Sequence, residues 1–149
     1  MVNPGRLPVV EALDESRKIP WSVRRRLHRE RKKGMTGVLL FAEIREPIRG
    51  LTNKSGVISL WENDAELCYR SSTARKPKFV VLSPGPHRID FRVLRLRKSK
   101  STSFQKVVQL EEGDILVAMC DPVQPNVFYR RSPEADSWIV GVVSPREKV

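Results

Sequence analysis

From Gly37 onward the chain is cut into short, β-prone apolar runs by turn residues at close intervals, a texture that strands explain and helices do not. The first run, residues 38–44, ends before Pro47 and Gly50, and the second, 57–61, continues over 66–69 beyond a turn at Asn63-Asp64. A polar, basic loop spans 71–78. Residues 79–82 lead into Ser83-Pro84-Gly85-Pro86, where proline presets φ and glycine accepts a left-handed angle. Residues 87–93 then alternate, with Ile89, Phe91 and Val93 on one side and Arg88, Asp90 and Arg92 on the other. Such alternation marks an antiparallel strand with one buried face. The apolar pair Val93-Leu94 breaks the phase and reads as a bulge. A polar loop over 98–103 precedes a strand over 104–110, a hairpin turn at Glu111-Glu112-Gly113-Asp114 and a strand over 115–120; residues 127–129 and 138–143 are the last two candidates. The prediction is an all-β fold, an antiparallel β-sandwich of about seven to eight short strands.

The N-terminal part has a different texture. Residues 1–15 are loop-like, broken by Pro4, Gly5 and Pro8. Residues 16–33 are predicted to form a helix, with Pro20 in its first turn, Gly34 as C-cap and Ile19, Val23 and Leu27 as a narrow apolar stripe. Its other positions are strongly basic. These 18 residues hold nine Lys and Arg against the single acid Glu30, a net +8, which is most of the +11 carried by the 149-residue chain. The expected organisation is a basic N-terminal arm with a short helix over 1–36, followed by a β-sandwich domain over 37–149.

An excess of positive charge this large points to a polyanionic partner. Phosphates are neutralised by Arg and Lys without reading bases, so the partner expected for the arm is RNA or DNA, contacted with little sequence preference. The candidate binding residues are Arg24, Arg25, Arg26, Arg29, Arg31, Lys32 and Lys33, with Trp21 positioned to stack on an unpaired base or to sit at a lipid interface. Arg88 and Arg92 extend the set if they share an exposed face; the bland reading of that strand is the polar side of an antiparallel sheet. The alternative for the arm is a protein–protein interaction or assembly module, in which the helix packs on a partner subunit.

Other classes of function find little support. A structural zinc site needs four closely spaced Cys or His ligands, whereas Cys68, Cys120, His28 and His87 are far apart in sequence. A cysteine paired with His87 would require the fold to join them, and both cysteines fall on apolar strands where a buried thiol is the ordinary state. His87 is better read as capping or lining its Pro-Gly-Pro turn. The acids Glu62, Asp64 and Glu66, and Glu111, Glu112 and Asp114, sit at turns and are read as solvated. Trp61 and Trp138 are expected in the core. No enzyme, cofactor or metal is predicted. No apolar run reaches the roughly 18 residues of a membrane span, the N-terminus lacks the apolar stretch of a secretory signal, and two cysteines are too few for a disulfide framework; a cytoplasmic protein is expected.

One stretch carries a resemblance. Residues 79–91, with Ser83-Pro84-Gly85-Pro86 and His87 between two strands, resemble the strand, Pro-Gly turn, His and strand of PEGA-like domains, and Leu110-Glu111-Glu112-Gly113 fits the Leu-x-x-Gly turn that follows in them. The resemblance covers about residues 57–120. It implies a small β-sandwich with no catalytic residues to carry over.

Overall fold

A computed structural model describes residues 9–13, 19–42, 56–71, 76–95, 101–121 and 137–145. Among them are one helix, α1 (Trp21–Lys32), and eight strands: β1 (Gly37–Ala42), β2 (Gly56–Glu62), β3 (Ala65–Ser71), β4 (Lys78–Val81), β5 (Gly85–Arg95), β6 (Ser101–Leu110), β7 (Ile115–Asp121) and β8 (Ser137–Val143). The strands form two four-stranded sheets, in the orders β4-β1-β7-β8 and β3-β2-β5-β6. The fold is an all-β sandwich with a helical N-terminal element. All pairings are antiparallel except β1 with β7, which is parallel.

Alternation builds the interior. Ile58, Leu60, Ile89, Phe91, Val93, Val108 and Leu110 of one sheet face Val38, Leu40, Leu116, Ala118 and Cys120 of the other. Phe91 stacks on Phe104 at 5.0 Å between ring centroids, and Trp138 meets both rings edge-on from the opposite sheet. Trp138 therefore belongs to the core side, as expected.

A second apolar layer lies on the far side of the β4-β1-β7-β8 sheet. There Val23 and Leu27 of α1, with Ile19 and Leu13, cover Leu39, Phe41, Ile115, Val117, Met119 and Val143. Every residue of β1 is buried, as is every residue from Ile115 to Cys120 in β7. The apolar stripe of the helix thus docks on its own sandwich.

Local chemistry accounts for the ends of α1. Pro20 has a ψ of 144°, so it is the extended residue before the helix, and its carbonyl accepts the N–H groups of Val23 and Arg24 at 3.1 and 3.0 Å. The helix predicted over 16–33 is accordingly shorter, and Pro20 lies outside it: the proline ring disfavours helical backbone at Ile19. Residues 16–18 lie outside the described residues. At the other end Gly34, at φ 71°, turns the chain so that its own N–H reaches the Arg31 carbonyl and that of Met35 reaches Glu30; this is the glycine cap that the sequence predicts.

Several turns differ from expectation. Asn63 and Asp64, at φ 51° and 63°, make a tight two-residue hairpin between β2 and β3, its left-handed pair suited to the strand twist. The turn at 111–114 is not a hairpin, however. It carries the chain from β6 in one sheet to β7 in the other, and the Pro-Gly turn likewise crosses from β4 to β5. Thr36 secures both corners: its carbonyl accepts from Leu82 N–H at 3.0 Å and its hydroxyl from Gly113 N–H at 2.7 Å.

The bulge expected at Val93-Leu94 is absent. β5 pairs without a shift from Gly85 to Leu94, Leu94 simply occupying the outer face at 43% exposure, and the irregularity falls between Leu60 and Trp61 against β3. β6 begins at Ser101, inside the segment read as a loop, because those polar residues complete the pairing with β5. Residues 9–13 are also more ordered than a loop. Val10 N–H donates to the Val107 carbonyl of β6, and Leu13 N–H to the Val142 carbonyl of β8, so the segment ties together an edge of each sheet. Exposed edges invite such pairing. The candidate strand at 127–129 lies outside the described residues.

Candidate functional site

The helix carries the site because its rotation is set from below. With Val23, Leu27 and Glu30 buried, a period of 3.6 residues places Trp21, Arg25, His28, Arg29 and Lys32 along the opposite side. All five are exposed, and exposed Arg24 and Lys33 flank them. Trp21 is 71% exposed, and the Arg25 guanidinium lies over its ring, 5.1 Å from the centroid.

The remaining two basic candidates of the helix are turned to the protein. Arg26 Nε donates to the Glu30 carboxylate at 3.1 Å, and Glu30 is 4% exposed. Arg31 donates to the Ser144 carbonyl at 2.8 Å, fastening the helix to the chain beyond β8. The only acid of α1 is therefore buried and paired, while the outward stripe presents Arg, Lys, His and Trp. Arg29, Arg31 and Lys32 also lie in the last turn, where the helix dipole favours cations.

Arg88 and Arg92 do share a face, but not this one. Both belong to the outer side of the β3-β2-β5-β6 sheet, since Ile89, Phe91 and Val93 between and beside them face the inter-sheet core. The sandwich thus separates them from α1 by its full thickness. Arg88 is exposed, whereas Arg92 is half-buried, lies 4.4 Å from the centroid of Trp61 and donates to Asp90 at 3.0 Å. Trp61 is correspondingly not a core residue. Alternation along β2, with Ile58 and Leu60 facing the core, puts it on the outer face opposite Asp90, where its indole N–H donates to Ser59 at 2.8 Å. Tyr69 is half-exposed near Lys78, whose ammonium stands 4.7 Å from the ring centroid.

His28 is the residue of the outward stripe that the charge pattern passed over. Its signal was present as helical spacing, seven residues from Trp21 and three from Arg25.

The groups considered for catalysis sit in structural roles. His87 is buried, with Nδ1 2.9 Å from the Glu62 carboxylate and Nε2 2.7 Å from the Ser83 carbonyl. Burial pushes its pKa down, but the Ser83 carbonyl and the Glu62 hydrogen bond and charge outweigh this, so the net direction is upward. Glu62 also accepts the Arg88 N–H at 3.2 Å, so one carboxylate joins the end of β2 to the start of β5. Burial pushes the Cys68 thiol up to about 12, which keeps it protonated. Among the described residues, no group of three or more His, Cys, Asp or Glu is placed to hold a metal ion, and no helix is long and apolar enough to cross a membrane. No family model, curated protein or solved structure matches the chain.

Proposed function

We propose that this chain is a non-catalytic, cytoplasmic binding domain whose helix contacts a polyanion, RNA or DNA, with little sequence preference. One observation carries the reading. The outward stripe of α1 joins Arg24, Arg25, Arg29, Lys32 and Lys33 to an exposed Trp21, while the one acid of the helix, Glu30, is buried beneath it. Phosphates approaching that side meet cations held at helical spacing by a rigid sheet, and each contact releases condensed counterions. Contacts of this kind position a strand without reading its bases.

The absence of catalysis is part of the same proposal. It is supported by the engagement of both His87 nitrogens and by the burial of both cysteines. The PEGA-like resemblance over residues 57–120 leans the same way. The rival reading is an assembly module whose arm packs across a partner subunit with an acidic groove; such a partner would have to use the exposed cations, since Val23 and Leu27 are already occupied by the helix's own sandwich.

Deleting the helix would uncover Leu39, Phe41, Ile115, Val117 and Met119, so the clean test is on its surface. Fluorescence anisotropy of a labelled mixed-sequence RNA and a DNA duplex should report binding by the intact chain. If five phosphates are neutralised, affinity for the single strand should fall about a hundredfold between 50 and 200 mM salt. The triple variant Arg25→Gln, Arg29→Gln, Lys32→Gln should bind more weakly and lower the salt slope by about 2. An intact chain that binds neither nucleic acid at low salt, or a triple variant that binds like the parent, sinks the proposal.

A further inference from the structure

We infer that the outward stripe of α1 is a platform for single-stranded nucleic acid, preferring it to duplex, with Trp21 as the residue that confers the preference. This rests on the polyanion reading above and goes further by naming the form of the strand.

The argument begins with where the three tryptophans went. Trp138 is packed against Phe91 and Phe104, and Trp61 is half-buried beneath Arg92. Trp21 alone of the three is left in water, and at 71% it is the most exposed large apolar side chain among the described residues. The docking of the helix does not use it, since Val23, Leu27 and Ile19 cover the sheet without it. It stands instead in line with Arg25, Arg29 and Lys32, over a stretch of about 16 Å at 1.5 Å per residue. The Arg25 guanidinium lies over the ring at 5.1 Å and limits its rotation.

Charge alone does not favour the single strand, since a duplex presents its phosphates more densely and releases more counterions per contact. A flat, exposed ring does favour it. In a duplex the base faces are stacked on one another and withheld from the indole. In a single strand each base has a free π-face, and an aromatic ring beside a cationic track is the usual means of holding it.

The experiment compares a fluorescein-labelled 12-nucleotide mixed-sequence RNA with a perfectly paired duplex of the same sequence, at one salt concentration. It uses the intact chain and its Trp21→Ala, Trp21→Phe and Arg25→Gln/Arg29→Gln/Lys32→Gln variants. Since Trp21 is exposed, its variants should keep the parent's thermal unfolding midpoint. The parent should bind the single strand roughly tenfold more tightly than the duplex. Trp21→Ala should lose that tenfold on the single strand and leave the duplex unchanged, and Trp21→Phe should retain most of it. Equal affinity of the parent for both forms, or a Trp21→Ala variant that weakens both or neither, overturns the inference. If in that case the triple variant still abolishes binding, the polyanion reading survives without it. Binding of neither nucleic acid, with Trp21-dependent binding to vesicles containing phosphatidylserine, overturns both in favour of a lipid surface.

Discussion

The two sheets of this sandwich share an interior and differ in what covers their outer sides. In the β4-β1-β7-β8 sheet the middle strands are buried on both faces, one against the opposite sheet and the other beneath α1. Among the described residues no second apolar layer covers the outer side of the β3-β2-β5-β6 sheet, and β5 alternates between core residues and Arg88, Asp90, Arg92 and Leu94. The difference shows how a chain with +11 net charge builds a three-layer core. The helix contributes apolar residues at 23 and 27 to the inside and sends Arg24, Arg25, Arg29 and Lys32 outward, while Arg26 and Arg31 are held by partners within the protein. The open sheet handles its cations differently, setting Arg92 between Trp61 and Asp90.

The comparison breaks first at the helix. Leu27→Asp would place an unpaired carboxylate between α1 and the sheet, and should cost about 3–5 kcal/mol in urea unfolding. A loss near zero would mean that the helix is not a structural cover at all. A smaller effect is expected at the seam that joins the two sheets. Gly141 lies directly against the Leu13 backbone, and an added Cβ would run into it. Gly141→Ala should therefore destabilise by about 1–3 kcal/mol and should speed amide exchange at Leu13 and Val142, whose N–H groups donate to the carbonyls of Val142 and Glu11 across this seam.

The third prediction concerns pH. His87 has a raised pKa in the folded chain, so the clamp it forms with Glu62 and Ser83 is fully stabilising below the ordinary histidine value of about 6.5. That contribution is lost as pH rises through the folded value, because the unfolded chain has by then already released its proton. Unfolding free energy should fall across this window, and the fall should shrink in Glu62→Gln; an unchanged profile would show that the clamp does not couple to folding. The smallest effect belongs to the open side. Leu94→Ser should change stability by no more than about 0.5 kcal/mol, and a core-sized loss there would show that something covers this face after all.

Much of the fold was legible because its signals are local. The alternation of residues 87–93 became the two faces of β5, Asn63-Asp64 became a hairpin, Gly34 became a helix cap and the 19–23–27 stripe became a docking face. What was missed depends on distant partners. The turns at 84–86 and 111–114 have ordinary turn chemistry, and nothing local distinguishes a turn within a sheet from one that crosses between sheets. The parallel pairing of β1 with β7 joins segments more than 70 residues apart. One available signal was not used. Residues 38–42 and 115–120 are continuous apolar runs without alternation, the pattern of strands covered on both faces.

For the candidate site, the residue types and their concentration in one short segment could be read from the chain, and so could the side of the helix that would be buried. Helical period and composition are properties of neighbours in sequence, so they require no knowledge of the rest of the molecule. Only the tertiary structure divided the cations. It turned Arg26 toward a buried Glu30, tied Arg31 to the carbonyl of Ser144, left Arg25, Arg29 and Lys32 in line with Trp21, and put Arg88 and Arg92 on the opposite side of the sandwich. Those outcomes follow from which sheet each element joined and which of its faces was already occupied, and long-range packing alone decides that.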